Sequence, residues 1–317
     1  MTDTKMIVDV AARLFTERVN KHLLDLAEAG EFPVALWQAI CDTGFNEIGS
    51  ADSGTGYPEL FALLRCAGEQ VVPLPLAETL LAGTWAGPHE GISSIGRIDG
   101  DKIVDVPWGR AASRVIGISP DSLNARIVTD VKVLEESANL AGEARDTVQL
   151  PANADAIQLD IDPVLLLATS QAVQMAGAMT SILAMTITYA TDREQFGRPI
   201  SKFQVIQHVL AQIAAEVAAA KRAADAAAGA VELADGFVDV AAARSRVGEA
   251  AGVVAELSHQ VHGAMGFTHE HKLHHYTRRL WAWRDEYGNE SYWQARLGEA
   301  LAQQGADAVW SFIAARS

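Results

Sequence analysis

Apolar residues recur at helical spacing through both ends of this 317-residue chain, and in short runs between turn residues through its middle. From about Asp3 to Ala29 the spacing predicts one helix. A second follows Pro33 through Trp37 to Asp42, and a third covers about Glu59 to Gln70. Pro73 and Pro75 each fix φ and remove a donor, so the chain there is extended, and Leu76 to Leu81 reads as a short helix after them. Lys102–Val106, Ser113–Ile118, Ala125–Val128 and Thr147–Leu150 are apolar runs set between turns such as Asp99-Gly100, which predicts a small antiparallel β unit. Asp162-Pro163 is a helix cap followed by a first-turn proline. The stretch from Val164 to Ala190 is apolar over most of its surface, as the central helix of a bundle must be. After a break at Gly197-Arg198-Pro199, helices are expected near Lys202–Leu233, Val238–His262, Leu273–Tyr287 and Glu290–Ala315. Long helices with short links make an antiparallel bundle, and the alanine-rich runs Ala214–Ala230 and Ala241–Ala251 suit close helix contact.

The expected fold is therefore mainly α with a small β domain. An N-terminal helical domain occupies residues 1–90, a reduced middle β domain 91–157, and a C-terminal helical bundle 158–317.

Charge narrows the partners. A net charge of −15 repels nucleic-acid backbones and anionic membranes, so neither is expected, and an anionic ligand would need a locally basic site. The N-terminal MTDTKMIVDVAARLF is an amphipathic helix without the pattern of a secretion signal. No apolar run approaches the ~20 residues that span a bilayer, so cytoplasmic residence is the expectation. Cys41 and Cys66 lack metal-ligand spacing and read as reduced, buried thiols.

Four motifs carry candidate chemistry. Tyr189-Ala-Thr-Asp-Arg193-Glu-Gln195-Phe196-Gly-Arg198-Pro-Ile-Ser-Lys-Phe203-Gln204 places an arginine between a helix end and a helix start. That arrangement can hold a phosphate or pyrophosphate, or Arg193 can simply pair with Asp192 or Glu194. His259-Gln260-Val-His262-Gly263-Ala264-Met-Gly266-Phe267 allows a backbone or flat ligand close approach, or is a helix end with core histidines. His271 and His275 would share a helix face, but no Glu or Cys completes a zinc pattern and no metal site is expected. Arg278-Arg279-Leu-Trp281-Ala-Trp283-Arg284-Asp285-Glu286-Tyr287-Gly288 mixes charge and aromatics, as a buried face or a subunit interface does. No P-loop, strand-linked GxGxxG or CxxC pair is present.

Taken together, Arg193-Glu-Gln-Phe-Gly-Arg-Pro-Ile, Phe203-Gln204 and Gln260-Val-His-Gly-Ala-Met-Gly-Phe resemble the C-terminal bundle of the acyl-CoA dehydrogenase family. The resemblance covers residues ~160–317 well and the N-terminal region more loosely. It implies the three-part fold above and α,β-dehydrogenation of an acyl-CoA thioester to the 2-enoyl-CoA, a β-oxidation step of lipid metabolism. A carboxylate takes the α-proton, FAD takes the β-hydride, and an electron-transfer flavoprotein reoxidises the flavin. It further implies that Arg193, Gln195, Phe196, Gln204, Gln260, Gly263 and Ala264 contact the adenosine-pyrophosphate half of an FAD held mainly by a neighbouring subunit.

Departures from the family pattern are equally informative. The Thr-Glu-Pro…Gly-Ser and Trp-hydroxyl segments that cradle the flavin ring are missing between residues 84 and 157. The family's base position falls on Tyr287, a poor base with an ordinary value near 10, and Glu286 next to it points ~100° away on a helix. Val164–Met185 contains no Asp or Glu to substitute for it, and Ala264 stands where glycine is common. The resemblance thus implies the short subunit of an α2β2 acyl-CoA dehydrogenase of the kind found in steroid-degrading bacteria. Such a subunit shares FAD at the interface with a longer partner that supplies the base. Two other readings stay open: a self-sufficient homomeric enzyme using Glu286, and a non-catalytic acyl-CoA-binding or scaffold protein.

Overall fold

The computed structural model describes residues 2–120 and 122–314. Five helices open the chain: α1 (Thr2–Arg18), α2 (Lys21–Glu28), α3 (Val34–Asp42), α4 (Tyr57–Glu69) and α5 (Leu76–Ala86). The single helix expected over Asp3–Ala29 is two. Asn20 breaks it by accepting a hydrogen bond from the Leu23 amide at 3.0 Å, and a side chain that caps a new helix competes with continuing the old one. α5 runs past Leu81 to Ala86, buried from Leu76 to Gly83, and stops where Gly87 takes φ +77°.

Seven strands follow: β1 (Ser93–Asp99), β2 (Lys102–Pro107), β3 (Arg114–Ile118), β4 (Asn124–Val128), β5 (Val133–Glu135), β6 (Arg145–Gln149) and β7 (Asp155–Gln158). They form one sheet in the order β5-β6-β2-β1-β3-β4-β7. The sheet is not wholly antiparallel as expected, because β1 and β3 pair in parallel. β2 returns antiparallel to β1 from the Asp99-Gly100 turn, and the chain then crosses through residues 108–113 to the far side of β1. A strand that starts there must run the same way as β1.

The bundle comprises α6 (Pro163–Asp192), α7 (Gln204–Ala230), α8 (Phe237–His262), α9 (Leu273–Asp285), α10 (Glu290–Gln304) and α11 (Val309–Ala314). A two-residue hairpin, β8 (Glu194–Gln195) with β9 (Arg198–Pro199), links α6 to α7. Asp162 caps α6 as its sequence predicts, accepting from the Val164 amide at 2.8 Å. The last expected helix divides at Gly305, whose φ of +87° leaves α10 for a short turn before α11.

α6 is long and apolar enough to cross a membrane by length and composition, contrary to the reading that no run approaches that limit. More than half of its most apolar window is buried against protein. It lies against α4, α7, α8 and α9. Glycine permits the tightest of these crossings: a Cβ on Gly177 would meet the Arg65 carbonyl oxygen at 2.4 Å, and one on Gly68 the Gln174 oxygen at 2.1 Å. α7 turns Ala220, Ala224 and Ala227 onto the interior, and α8 does the same with Ala243, Ala250 and Ala251. Both cysteines are free. Cys66 is buried, which pushes its thiol up to about 11, whereas Cys41 is half-buried.

Candidate functional site

The last turn of α9 and the residues after it are held by several side chains from elsewhere in the fold. α9 ends at Asp285, Tyr287 takes φ +56° and Gly288 φ +96°, and α10 begins behind an Asn289 cap. Orphan carbonyls at a helix end need donors. Arg244 of α8, only 2% exposed, supplies them. It donates to the carbonyls of Glu286 and Gly288 at 2.8 Å each, of Arg284 at 3.2 Å and of Trp283 at 3.4 Å. Burial without a carboxylate partner lowers this guanidinium to about 10. The Trp293 indole donates to the carbonyls of Tyr287 and Gly288, both at 3.1 Å.

This turn borders a cavity of about 730 Å³ whose other wall includes Ile95, Gly96 and Ile118 of the sheet. Glu286 and Tyr287 both line it, but neither is a free base. The Glu286 carboxylate accepts from Arg145 Nε at 2.9 Å, Arg145 Nη2 at 3.0 Å and Asn139 Nδ2 at 3.0 Å. The Tyr287 hydroxyl donates to Glu78 at 2.9 Å. Burial first, then the neighbouring Glu78 and Glu286 charges, push the phenol well above its ordinary value. Burial also raises Glu78, which sits on the first turn of α5. Sequence reasoning missed Glu78, Arg145, Asn139 and Arg244. Of these, Glu78 alone left a local signal, as the one acid in the apolar run Leu76–Gly83.

The cofactor candidates lie elsewhere, at the end of the bundle. Arg193 follows the last residue of α6 and is exposed, and among the described residues its side chain pairs with neither Asp192 nor Glu194. With Tyr189, His271 and Lys272 it borders an open cleft of about 580 Å³. Gln195 and Phe196 sit on the β8–β9 hairpin. Phe196 takes φ +52° and Gly197 φ +76°, as a tight two-residue hairpin turn demands, and the Phe196 ring is 93% exposed. Phe203 stacks edge-on against it at 6.1 Å, and Gln204 opens α7. Gln260, Gly263 and Ala264 are exposed on the second segment.

Tyr189 joins the two segments. Its hydroxyl donates to the His262 carbonyl at 3.1 Å and its ring stacks on His262 at 4.4 Å. Gly263 takes φ +56°, and a Cβ there would meet nothing within 4 Å. An unpaired cation, a projecting ring and open backbone suit a flat ligand carrying a pyrophosphate, so these residues fit part of an FAD. None of the seven lines the 730 Å³ cavity.

The histidines do not share one face. α9 starts at Leu273, so His271 lies before the helix and meets His262 edge-on at 4.7 Å between ring centres. His275 points instead into the protein toward α2, where its Nδ1 bonds Glu28 at 2.7 Å.

Residues 167–290 match the acyl-CoA dehydrogenase C-terminal domain family. Acyl-CoA dehydrogenase IpdE2 of Mycobacterium tuberculosis is 25% identical over 311 residues, covering 87% of this chain and 90% of that protein. A chain of the ChsE4–ChsE5 complex from Mycobacterium tuberculosis superposes with a TM-score of 0.82 at 20% identity, covering 94% of this chain and 97% of its own. A chain of the Tcur3481–Tcur3483 steroid ACAD does so with a TM-score of 0.82 at 22% identity, covering 96% and 99%. Residues 167–290 therefore match the acyl-CoA dehydrogenase C-terminal domain, and the chain as a whole shares the fold of these solved structures.

Proposed function

We propose that this chain is the short subunit of a heteromeric acyl-CoA dehydrogenase. It would contribute contacts to the adenosine-pyrophosphate half of an FAD, while a longer partner supplies the catalytic base. The observation that carries the reading is the fate of the base position. Tyr287 stands there with its hydroxyl proton hydrogen-bonded to Glu78, and the adjacent Glu286 is held by Arg145 and Asn139. A base needs a lone pair free to take the proton; here three hydrogen bonds engage the Glu286 carboxylate and the Tyr287 phenol keeps its own proton.

Arg193 with Lys272 would hold the pyrophosphate, Phe196 would face the adenosine, and Gln195, Gln204, Gln260, Gly263 and Ala264 would complete the contact. The flavin, where bound, accepts the β-hydride of the acyl-CoA. An electron-transfer flavoprotein is the expected acceptor of those electrons. Two fold relatives are two-chain complexes and one is a steroid ACAD, which supports an α2β2 assembly acting on a bulky, steroid-derived acyl-CoA.

The test is visible absorbance of the protein expressed alone and with its longer partner. Flavin only in the co-purified complex, near one per heterodimer, is expected. A fully flavinated lone chain overturns the proposal and makes Glu286 the base to examine.

A further inference from the structure

A cluster outside both sites has the chemistry of a metal centre. It lies where α2 meets α9, and it joins Asp25 to His274 and His275. One ring nitrogen of each histidine and an Asp25 carboxylate oxygen lie within 4.8 Å of one another. The tautomers follow from the partners. His275 Nδ1 faces Glu28 Oε1 at 2.7 Å, a carboxylate that Arg278 and Arg279 also pair with, so Nδ1 must carry the proton. His274 Nδ1 faces the His271 carbonyl at 2.7 Å and must likewise donate. Each ring therefore keeps an unprotonated Nε2 with its lone pair available.

Neither Nε2 makes a hydrogen bond, although both are buried and His275 is fully enclosed. His275 Nε2 and Asp25 Oδ1 stand 3.3 Å apart, close to the ~3.4 Å edge of a tetrahedron with bonds of about 2.0–2.1 Å. Lys21 occupies the other Asp25 oxygen at 2.7 Å and leaves Oδ1 facing inward. A histidine that donates one ring nitrogen to a carboxylate or carbonyl and presents the other is the outer-shell pattern of metal ligands. His274 also borders an open hollow of about 370 Å³ with His269, which provides an entry path.

We infer that Asp25, His274 and His275 form a binding site for a divalent cation of the zinc class. Two imidazoles and one carboxylate fill three tetrahedral positions, and the hollow leaves the fourth to water or to His269, whose ring lies 5.3 Å from that of His274. Glu28 is the outer-shell residue that orients His275. The site ties the N-terminal helices to the bundle.

The test uses the full chain without a polyhistidine tag, stripped with chelator and titrated with Zn²⁺ by calorimetry and with Co²⁺ by visible absorbance. One equivalent per chain is expected, with tetrahedral Co²⁺ bands. Asp25→Asn and His274→Gln should each weaken binding at least tenfold, and Glu28→Gln by about 10- to 100-fold. His208→Gln, exposed on α7, should leave it unchanged. Circular dichroism checks that each variant folds. No stoichiometric uptake overturns the inference, as does uptake indifferent to Asp25→Asn and His274→Gln. So does a doubly protonated His275 bridging Glu28 and Asp25 in metal-treated protein, seen by nitrogen NMR, because a proton would then do what the cation is assigned.

Discussion

The turn after α9 and the hairpin after α6 are both short irregular links between bundle helices, yet they are built in opposite ways. Arg244, Trp293, Glu78, Arg145 and Asn139 occupy the carbonyls and side chains of Glu286, Tyr287 and Gly288 from within the protein. The hairpin instead projects Phe196 into solvent and leaves Arg193 unpaired among the described residues. A link whose carbonyls and side chains are engaged internally has little left for a substrate. A link that exposes a cation and an aromatic ring has interactions to give to another molecule. Under the proposed function, the open link carries the cofactor contacts and the closed link is the lost base position.

The largest effect is expected from removing the strut of the closed region. Arg244→Met deletes the donor shared by the Trp283, Arg284, Glu286 and Gly288 carbonyls, leaving Gly288 to Trp293 and Glu286 without it, at about 1–3 kcal/mol for each acceptor left unpaired. Chemical denaturation should show a loss of about 3 kcal/mol or more. A loss below about 1 kcal/mol would mean that Trp293 alone holds the turn.

Next comes the scaffold behind the open region. Burial lowers His262 to about 4 from 6.5, so the folded state resists protonation there. The unfolded chain binds the proton first. The histidine's contribution to stability is therefore full above about 6.5 and lost as pH falls from there toward about 4, by up to ~3 kcal/mol. His262→Phe keeps a ring against Tyr189 and should flatten stability across that window. An unchanged pH profile would assign the slope to another group.

These two regions also differ in how much of them could be read from residues alone. The bundle was legible because its signals are local: the Asp162 cap, the apolar faces, and the alanines that α7 and α8 turn inward. The Arg193 segment was legible for the same reason, since its residues adjoin one another in sequence. The closure of the turn was not. Tyr287 meets Glu78 across 209 positions and Glu286 meets Asn139 across 147, and no period or spacing carries such pairings. The β1–β3 pairing escaped similarly, because alternation identifies a strand but not the side of its neighbour on which it lands. The inward turn of His275 required knowing that α2 lies opposite α9.

The open region itself should respond in binding rather than stability. Arg193→Ala removes an exposed charge and should shift the stability of the chain by no more than about 0.5 kcal/mol. A charge-assisted bond to a pyrophosphate is worth about 1.5–3 kcal/mol, so flavin affinity of the co-purified complex should fall about 10- to 100-fold by fluorescence titration. Equal flavin retention in variant and parent would remove Arg193 from the cofactor contact.

The smallest effect tests the comparison most directly. Tyr287→Phe leaves Glu78 without its hydroxyl donor. Burial already raises that carboxyl, so it can take up a proton instead of remaining an unpaired charge, which limits the cost to about 1–2 kcal/mol. If the turn is structural in this chain, turnover by the complex with its longer partner should stay within about twofold, since no proton in the reaction passes through Tyr287. Glu286→Gln should behave alike in turnover, because Arg145 and Asn139 can still donate to the amide oxygen. A drop of a hundredfold or more in kcat for either variant, with flavin still bound, would show that the closed turn opens during catalysis and that the base lies in this chain after all.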